Sequence, residues 1–365
     1  MTESDCHLAF SIAPRIGPKR FLDLLKVFGS AHSAWSASFE NLKKAGLGEK
    51  ILDVFIGFRS TFNIELEKKK LKESGIVFIA QCDKVYPQSL KELPNPPIGI
   101  FTKGNSGLLS EQNILAVVGS RKTTQYGRDV TTSLVTEIAK QGVVIISGLA
   151  LGIDAIAHMA CIDSKGRTIA VLGCGVDCCY PQENYNLYKK ILAGDGLIIS
   201  EYGLSVPPSK GSFLARNRII AALSKGILIS EATEDSGSLV TADWGEKLGK
   251  EIFAVPGLIT SQNSYGTLSL IQKGAILVRN QNDILQKFSA SGLDLLKSNG
   301  VKKPNLSVDQ QKIYDVLTDD MDIDGIIRAL GFSIVYTNSL LSEMELENHI
   351  VYINGKVRRN NNFHS

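Results

Sequence analysis

Five short turns in this chain pair glycine or serine with a few polar residues, and each directly follows a short apolar run rich in β-branched residues. They are Gly119-Ser120-Arg121-Lys122 after ILAVV, Ser147-Gly148 after VVII, Gly173-Cys174-Gly175 after TIAVL, Ser200-Glu201 after LII and Ser230-Glu231 after GILI. Glycines at such turns let backbone amides approach an anion, and helices that begin just afterwards point their positive ends at it. The pattern is that of a phosphate cradle. Arg121 adds an always-charged guanidinium that can fork onto a phosphate; its alternative is a surface pairing with a carboxylate. The segment SFLARNRIIAALS supplies Arg216, Asn217 and Arg218. Arginines at i and i+2 of a helix point to different sides, so one is expected to face the cradle while the other holds the fold.

Tyr180 and Asn184 follow the third run, and Tyr180 either presents a platform for base stacking or packs inward beside Pro181. Ser236-Gly237-Ser238 reads as a loop and N-cap able to take a phosphate. A dinucleotide cofactor is not expected: GSRKTTQYG is not G-x-G-x-x-G, and Ser147 stands where an acidic residue would take a ribose hydroxyl. Asp154 and His158, at i and i+4, can share one helix face and pair, but no nucleophile is fixed beside them, so no catalytic residue is assigned. Cys174, Cys178 and Cys179 lack a second Cys/His pair at finger-like spacing, and the other histidines show no metal spacing, so no metal is expected. The six cysteines read as reduced thiols.

The elements that must position these residues are legible from their periodicity. The apolar runs 114–119, 143–148, 168–173, 197–200, 226–230 and 251–257 alternate with segments of helical period such as RDVTTSLVTEIAKQG. That alternation calls for an α/β fold, a Rossmann-like doubly wound parallel sheet covered on both faces, with its ligand crevice outside the carboxyl ends of the strands. Residues 1–72 read as a small helical unit, SAM-like or helix-hairpin-helix-like, in which Ile16-Gly17-Pro18-Lys19 is either a phosphate-approaching turn or a helix start used for packing. GIVFIA after Gly75 reads as a strand, and the prolines of DKVYPQSLKELPNPPIGIFTKGN as an irregular crossing. The Rossmann lobe is expected over 73–290, a polar linker over 291–305, and three helices with a strand, in winged-helix order, over 306–365. A chain of 365 residues with 40 Lys+Arg against 37 Asp+Glu carries a formal charge of only +3, so a DNA role needs a local basic site. Neither a signal peptide nor an 18-residue apolar stretch is present, and the expectation is a soluble cytoplasmic protein without a membrane partner.

The motifs GSR (119–121), SGLALGIDAIAH (147–158), TIAVLGCGVD (168–177), YP (180–181), RNRIIAALS (216–224), SGSLVTA (236–242) and IFAVPG (252–257), in this order, closely resemble the DprA/Smf family. The resemblance implies single-stranded DNA binding in preference to duplex, with Arg121 in the DNA pocket. It also implies homodimerisation through the late part of the lobe, where Leu268, Ile271 and Leu277 are apolar, and loading of the RecA recombinase during natural transformation. Two positions depart from the pattern. Gln182 and Leu151 stand where some members carry lysine, so the basic pocket is weaker or draws on Lys122, Lys210 or Arg128.

Two other functions compete with a DNA-binding mediator. A nucleotide or phosphoribosyl hydrolase would need Glu201 or Glu231 as a carboxylate base at a bound ribose, yet no Pro-Gly-Gly-x-Gly-Thr turn is present. Alternatively the tail is the main DNA reader, with Lys356, Arg358 and Arg359 gripping phosphate and the Rossmann lobe serving as a dimer scaffold.

Overall fold

The computed structural model describes residues 1–289, 306–317, 321–347, 349–353 and 355–359. The expected linker, 291–305, lies outside the described residues. The chain divides into two compact units, Met1–Leu293 and Asp294–Ser365.

The first unit opens with six helices: α1 (Glu3–Ile12), α2 (Pro18–Phe28), α3 (Ala31–Ser36), α4 (Phe39–Lys44), α5 (Glu49–Thr61) and α6 (Ile64–Glu73). Local signals set their limits. Pro18 begins α2, where a missing N–H costs nothing, and Gly29 ends it at φ 76°. These helices close on an aromatic core of Phe10, Phe21, Trp35 and Phe55. Leu8 and Leu71 also join the apolar cluster beneath the sheet, which is why the helices and the sheet form one compact unit.

The sheet follows as β1 (Val77–Ala80), α7 (Gln88–Lys91), β2 (Gly99–Gly104), β3 (Ile114–Val118), α8 (Gln125–Lys140), β4 (Val144–Ser147), α9 (Ile153–Asp163), β5 (Thr168–Val171) and α10 (Tyr185–Ala193). It continues with β6 (Leu197–Ser200), α11 (Lys210–Leu223), β7 (Gly226–Ile229), α12 (Leu239–Lys247), β8 (Glu251–Ala254), α13 (Tyr265–Gln272), β9 (Ile276–Leu277) and α14 (Asn282–Ser289). Its nine strands run in the order β1-β2-β6-β5-β4-β3-β7-β8-β9. Every pair from β6 to β9 is parallel. All residues of β3 to β7 are buried, as strands covered on both faces must be. Because β3 pairs with β4 on one side and β7 on the other, the strand order reverses there, and the crevice of a doubly wound sheet opens at that point.

One segment differs from its sequence reading. GIFTKG is β2, an interior strand antiparallel to both β1 and β6, rather than an irregular crossing. Pro96 and Pro97 end just before it, so no ladder N–H is lost.

The second unit contains α15 (Val308–Val316), α16 (Ile323–Leu330), α17 (Ile334–Leu346) and an antiparallel hairpin of β10 (Ile350–Ile353) and β11 (Lys356–Arg359). Met321 bridges to Val357, and the helices and hairpin share a core that includes Ile313, Ile326, Leu341 and Val357. Among the described residues no helix is long and apolar enough to cross a membrane.

Candidate nucleic-acid interface

The turn after β3 is built to present Arg121. Ser120 is buried: its N–H donates to Glu231 O at 2.7 Å, and its hydroxyl donates to Lys122 O (3.0 Å) and accepts from Lys122 N–H (3.1 Å). Asn263 donates to the same Lys122 carbonyl at 3.0 Å. With the backbone so tied, the Arg121 side chain is exposed and makes no ion pair among the described residues. Its guanidinium carbon lies 5.6 Å from the centroid of the Phe213 ring, a cation–π separation. Tyr180, 45% exposed, packs on the same ring at 5.3 Å with a 30° tilt. Arg121, Phe213 and Tyr180 therefore form one cationic and aromatic shelf.

Phe213 was not singled out from the sequence. Ser209 and Ser212 cap α11 reciprocally, and the Ser212 hydroxyl donates to Gly173 O at 2.5 Å, which seats the first turn of the helix against the end of β5. Lys210, exposed and three residues before Phe213, shares its side of the helix. The S-x-x-S cap was the available signal, since it fixes where the helix starts and which residues occupy its first turn.

Beneath this shelf most of the expected phosphate ligands are already engaged with one another. Arg216 is buried. Its guanidinium donates to Gly148 O and to Val171 O, its Nε donates to Asn217 Oδ1 at 3.1 Å, and Asp154 lies 3.7 Å away. The absence of a side chain at Gly148 is what admits Arg216, because a Cβ there would fall on the guanidinium. Asp154 Oδ2 accepts from the amides of Gly148 (3.2 Å) and Ala150 (3.4 Å), so the Gly148 amide is already bonded. Ser147 Oγ donates to Val117 O, Asn184 Nδ2 to Leu149 O, Gly175 N to Val206 O and Asn217 Nδ2 to Gly237 O. Ser236 and Ser238 share a hydroxyl bond of 2.7 Å. Gly119 and Gly152 allow close approach here: a Cβ at Gly119 would meet Glu231 O and Ile153, and one at Gly152, which has φ 79°, would meet the Ser120 carbonyl.

Of the two arginines, Arg216 packs against the Gly148 turn with its guanidinium on backbone carbonyls, and neither is exposed. Arg218 is buried too, clamped on both Glu201 oxygens at 3.0 and 2.6 Å. Both guanidiniums are drawn inward because the turns around them offer carbonyls and carboxylates that would otherwise be buried unpaired. Burial lowers the Arg216 pKa, Asp154 opposes this, and the nearby Arg121 charge adds to the lowering.

Glu231 accepts from Thr124 N (3.0 Å) and Thr124 Oγ1 (2.5 Å), so it holds the N-cap residue of α8, while Glu201 is held by Arg218. Each carboxylate that hydrolysis would need as a base is thereby engaged in structure. His158 bonds Thr168 Oγ1 at 2.7 Å rather than Asp154, and burial drives its pKa down to about 3. Cys174 donates to Cys178 O at 3.1 Å, and burial raises Cys174 to about 12 and Cys179 to about 11. Lys122 and Arg128 are exposed at the rim, as are Gln182 and Leu151.

Further along, Leu277 is 41% exposed on the edge strand β9, whereas Leu268 is half-buried and Ile271 packs against the central core. The preceding loop exposes Leu258 and Ile259. In the second unit Arg359 lies over the Tyr314 ring and donates to the carbonyls of Tyr314 and Asp315, while Lys356 and Arg358 are exposed.

A sheet with this order and these motifs is matched over residues 77–289 by the family model of DNA recombination-mediator protein A. The chain belongs to this family, DprA/Smf. Protein Smf of Synechocystis is 36% identical over 79% of this chain and 73% of its own length. DprA of Bacillus subtilis is 41% identical over 59% of the chain and 72% of its own length. The DprA crystal structure from Streptococcus pneumoniae superposes with a TM-score of 0.68 at 33% identity, covering 78% of this chain and all but 2% of that one (98%). DprA from Helicobacter pylori, whose structure was described for its mode of single-stranded DNA binding, gives 0.54 at 34% identity over 59% of this chain and 96% of that one. The shelf and its buried floor thus belong to a DprA/Smf lobe.

Proposed function

We propose that this DprA/Smf chain is a single-stranded-DNA-binding recombination mediator that acts in the cytoplasm as a homodimer. In this reading it protects incoming DNA and hands it to the RecA recombinase in natural transformation. The observation that carries it is the shelf, where Arg121, exposed and without an ion pair among the described residues, lies on Phe213 beside Tyr180. A guanidinium takes the phosphate and the aromatic faces stack bases, the sequence-tolerant way to hold a single strand. Lys122, Arg128 and Lys210 extend the positive rim. Gly119, Ser120, Ser147, Gly148, Gly173, Gly175, Asn184, Arg216, Asn217, Arg218 and Ser236 to Ser238 serve as the scaffold that holds this shelf.

Duplex DNA is expected to bind more weakly, because paired bases cannot splay onto Phe213 and Tyr180. The engagement of Glu201 and Glu231 in structural bonds weighs against a hydrolase. The test is fluorescence anisotropy of labelled oligo-dT and of an equal-length duplex over a salt series. Wild type should prefer the single strand, and Arg121→Ala should weaken binding and make the salt slope shallower by about 1. Phe213→Ala and Tyr180→Ala should each cost about 1 to 3 kcal/mol of single-strand affinity. Equal affinity of Arg121→Ala and wild type at every salt concentration would remove the shelf from the DNA site.

A further inference from the structure

A cavity of about 1130 Å³ in the first unit lies at the opposite end of the sheet from the shelf. It is bordered by Asn113, which precedes β3, by Ser224 and Lys225, which precede β7, and by Lys250, which precedes β8. The strands between the two ends are four or five residues long, so roughly 15 Å of sheet separates this cavity from the DNA shelf. One ligand can occupy each.

Two features define what the cavity would take. The first is charge: Lys84, Lys91, Lys225 and Lys250 all line it. None of the four makes an ion pair within 4 Å among the described residues, although Glu92 acts on Lys250 from further off, and the one acidic lining residue, Glu111, is already bound to Arg167 at 2.5 Å. Lys225 forms the floor, donating to Phe288 O at 2.7 Å, whereas Lys84 and Lys91 are exposed and Lys250 is half-buried. In a chain whose formal charge is only +3, this is a concentrated positive site. The second feature is apolar wall: Val77 on β1 and Val85 are 57% and 71% exposed, while Ile79 and Leu109, which also line the cavity, are buried in the core.

A nucleotide fits these features poorly. There is no arginine to fork onto a phosphate, and the one aromatic lining residue, Tyr86, is buried with its hydroxyl bonded to Pro97 O and Lys91 over its ring. Lysines are point charges that take an anionic group without the two-point grip of a guanidinium, and the exposed Val77 and Val85 side chains need an aliphatic partner, which a nucleotide lacks. The volume also exceeds the roughly 300–1,000 Å³ that small ligands occupy. We propose that this cavity is the docking site for an acidic peptide segment of a partner protein, one that carries aliphatic side chains among its carboxylates.

The test uses the full-length protein and a fluorescein-labelled peptide of aspartates interrupted by two leucines, followed by anisotropy. Wild type should bind it, binding should fall when the leucines are replaced by glycine, and oligo-dT should not displace it. Lys84→Glu combined with Lys91→Glu should weaken peptide binding about tenfold or more, by charge reversal at two exposed positions. Val85→Asp, also exposed, should act in the same direction. Both variants should keep the wild-type melting temperature and single-strand DNA affinity, and Arg121→Ala should keep peptide binding. Three results would overturn the proposal: wild-type peptide affinity in the charge-reversed protein, displacement of the peptide by pyrophosphate or ATP, or loss of oligo-dT binding in the charge-reversed protein. The second would make the cavity a phosphate site and the third an arm of the DNA surface. Neither would bear on the shelf itself, which the Arg121 variant tests separately.

Discussion

At the scale of single residues, three arginines of similar sequence context do different work, and burial separates them. Arg121 is exposed over an aromatic ring, whereas Arg216 and Arg218 are buried among carbonyls and carboxylates. Removing one member of a buried ionic network leaves its partners uncompensated, at about 3 to 5 kcal/mol. Arg216→Ala should therefore destabilise the lobe by that amount in urea denaturation, and Arg121→Ala should stay within about 0.5 kcal/mol of wild type. An unchanged urea midpoint for Arg216→Ala would contradict its role as the crevice floor. His158 supplies a pH dependence. Thr168 Oγ1 donates to Ile145 O, so it accepts the Nδ1 proton of His158, and Nε2 is left buried without a partner. Burial, and to a lesser degree Arg216, lowers the His158 pKa to about 3. The unfolded chain takes up this proton near pH 6.5 and the native protein does not, so stability is lost as pH falls from about 6.5 towards 3. The loss from this group is about 2 kcal/mol at pH 5. Urea midpoints at pH 7 and pH 5 should differ less in His158→Met than in wild type.

At the scale of elements, the strand ends and helix starts of the Rossmann lobe were readable because short apolar runs bounded by glycine have few other structural solutions. β2 was not, because prolines beside a strand and prolines within a loop look alike until the strand finds its neighbours. Phe213 escaped notice for a related reason: its importance comes from Arg121 and Tyr180, which are distant in sequence. The second unit has three helices followed by a two-stranded hairpin, where the sequence reading had three helices and a strand, and α17 (Ile334–Leu346) contains no Lys or Arg and carries Glu343 and Glu345. A helix of that charge is poorly suited to lie along phosphates. A chain ending at residue 293 should keep single-strand affinity within about twofold of the full-length protein. A much larger loss would make the tail the principal DNA reader.

At the scale of the whole molecule, the late part of the lobe leaves aliphatic side chains in water that a monomer would usually cover. Leu258, Ile259 and Leu277 are 74%, 80% and 41% exposed. If this surface is the homodimer contact, Leu277→Glu should yield a monomer by light scattering with an unchanged melting temperature, since Leu277 is outside the core. Ile271 is a poorer probe because it also packs against the central cluster. Light scattering that still reports a dimer for Leu277→Glu would place the contact elsewhere.

Sequence alone determined the α/β class, the run of turns at the strand ends and the resemblance to DprA/Smf, because local periodicity and ordered motifs are properties of neighbouring residues. It also identified Arg121, since the residue after the first strand of a doubly wound sheet stands at the crevice by construction. Only the tertiary structure decided which of the polar residues gathered there remain available to a ligand. That depends on whether each donor meets an acceptor from a distant turn, as Arg216 meets Gly148 and Val171, or meets solvent, as Arg121 does.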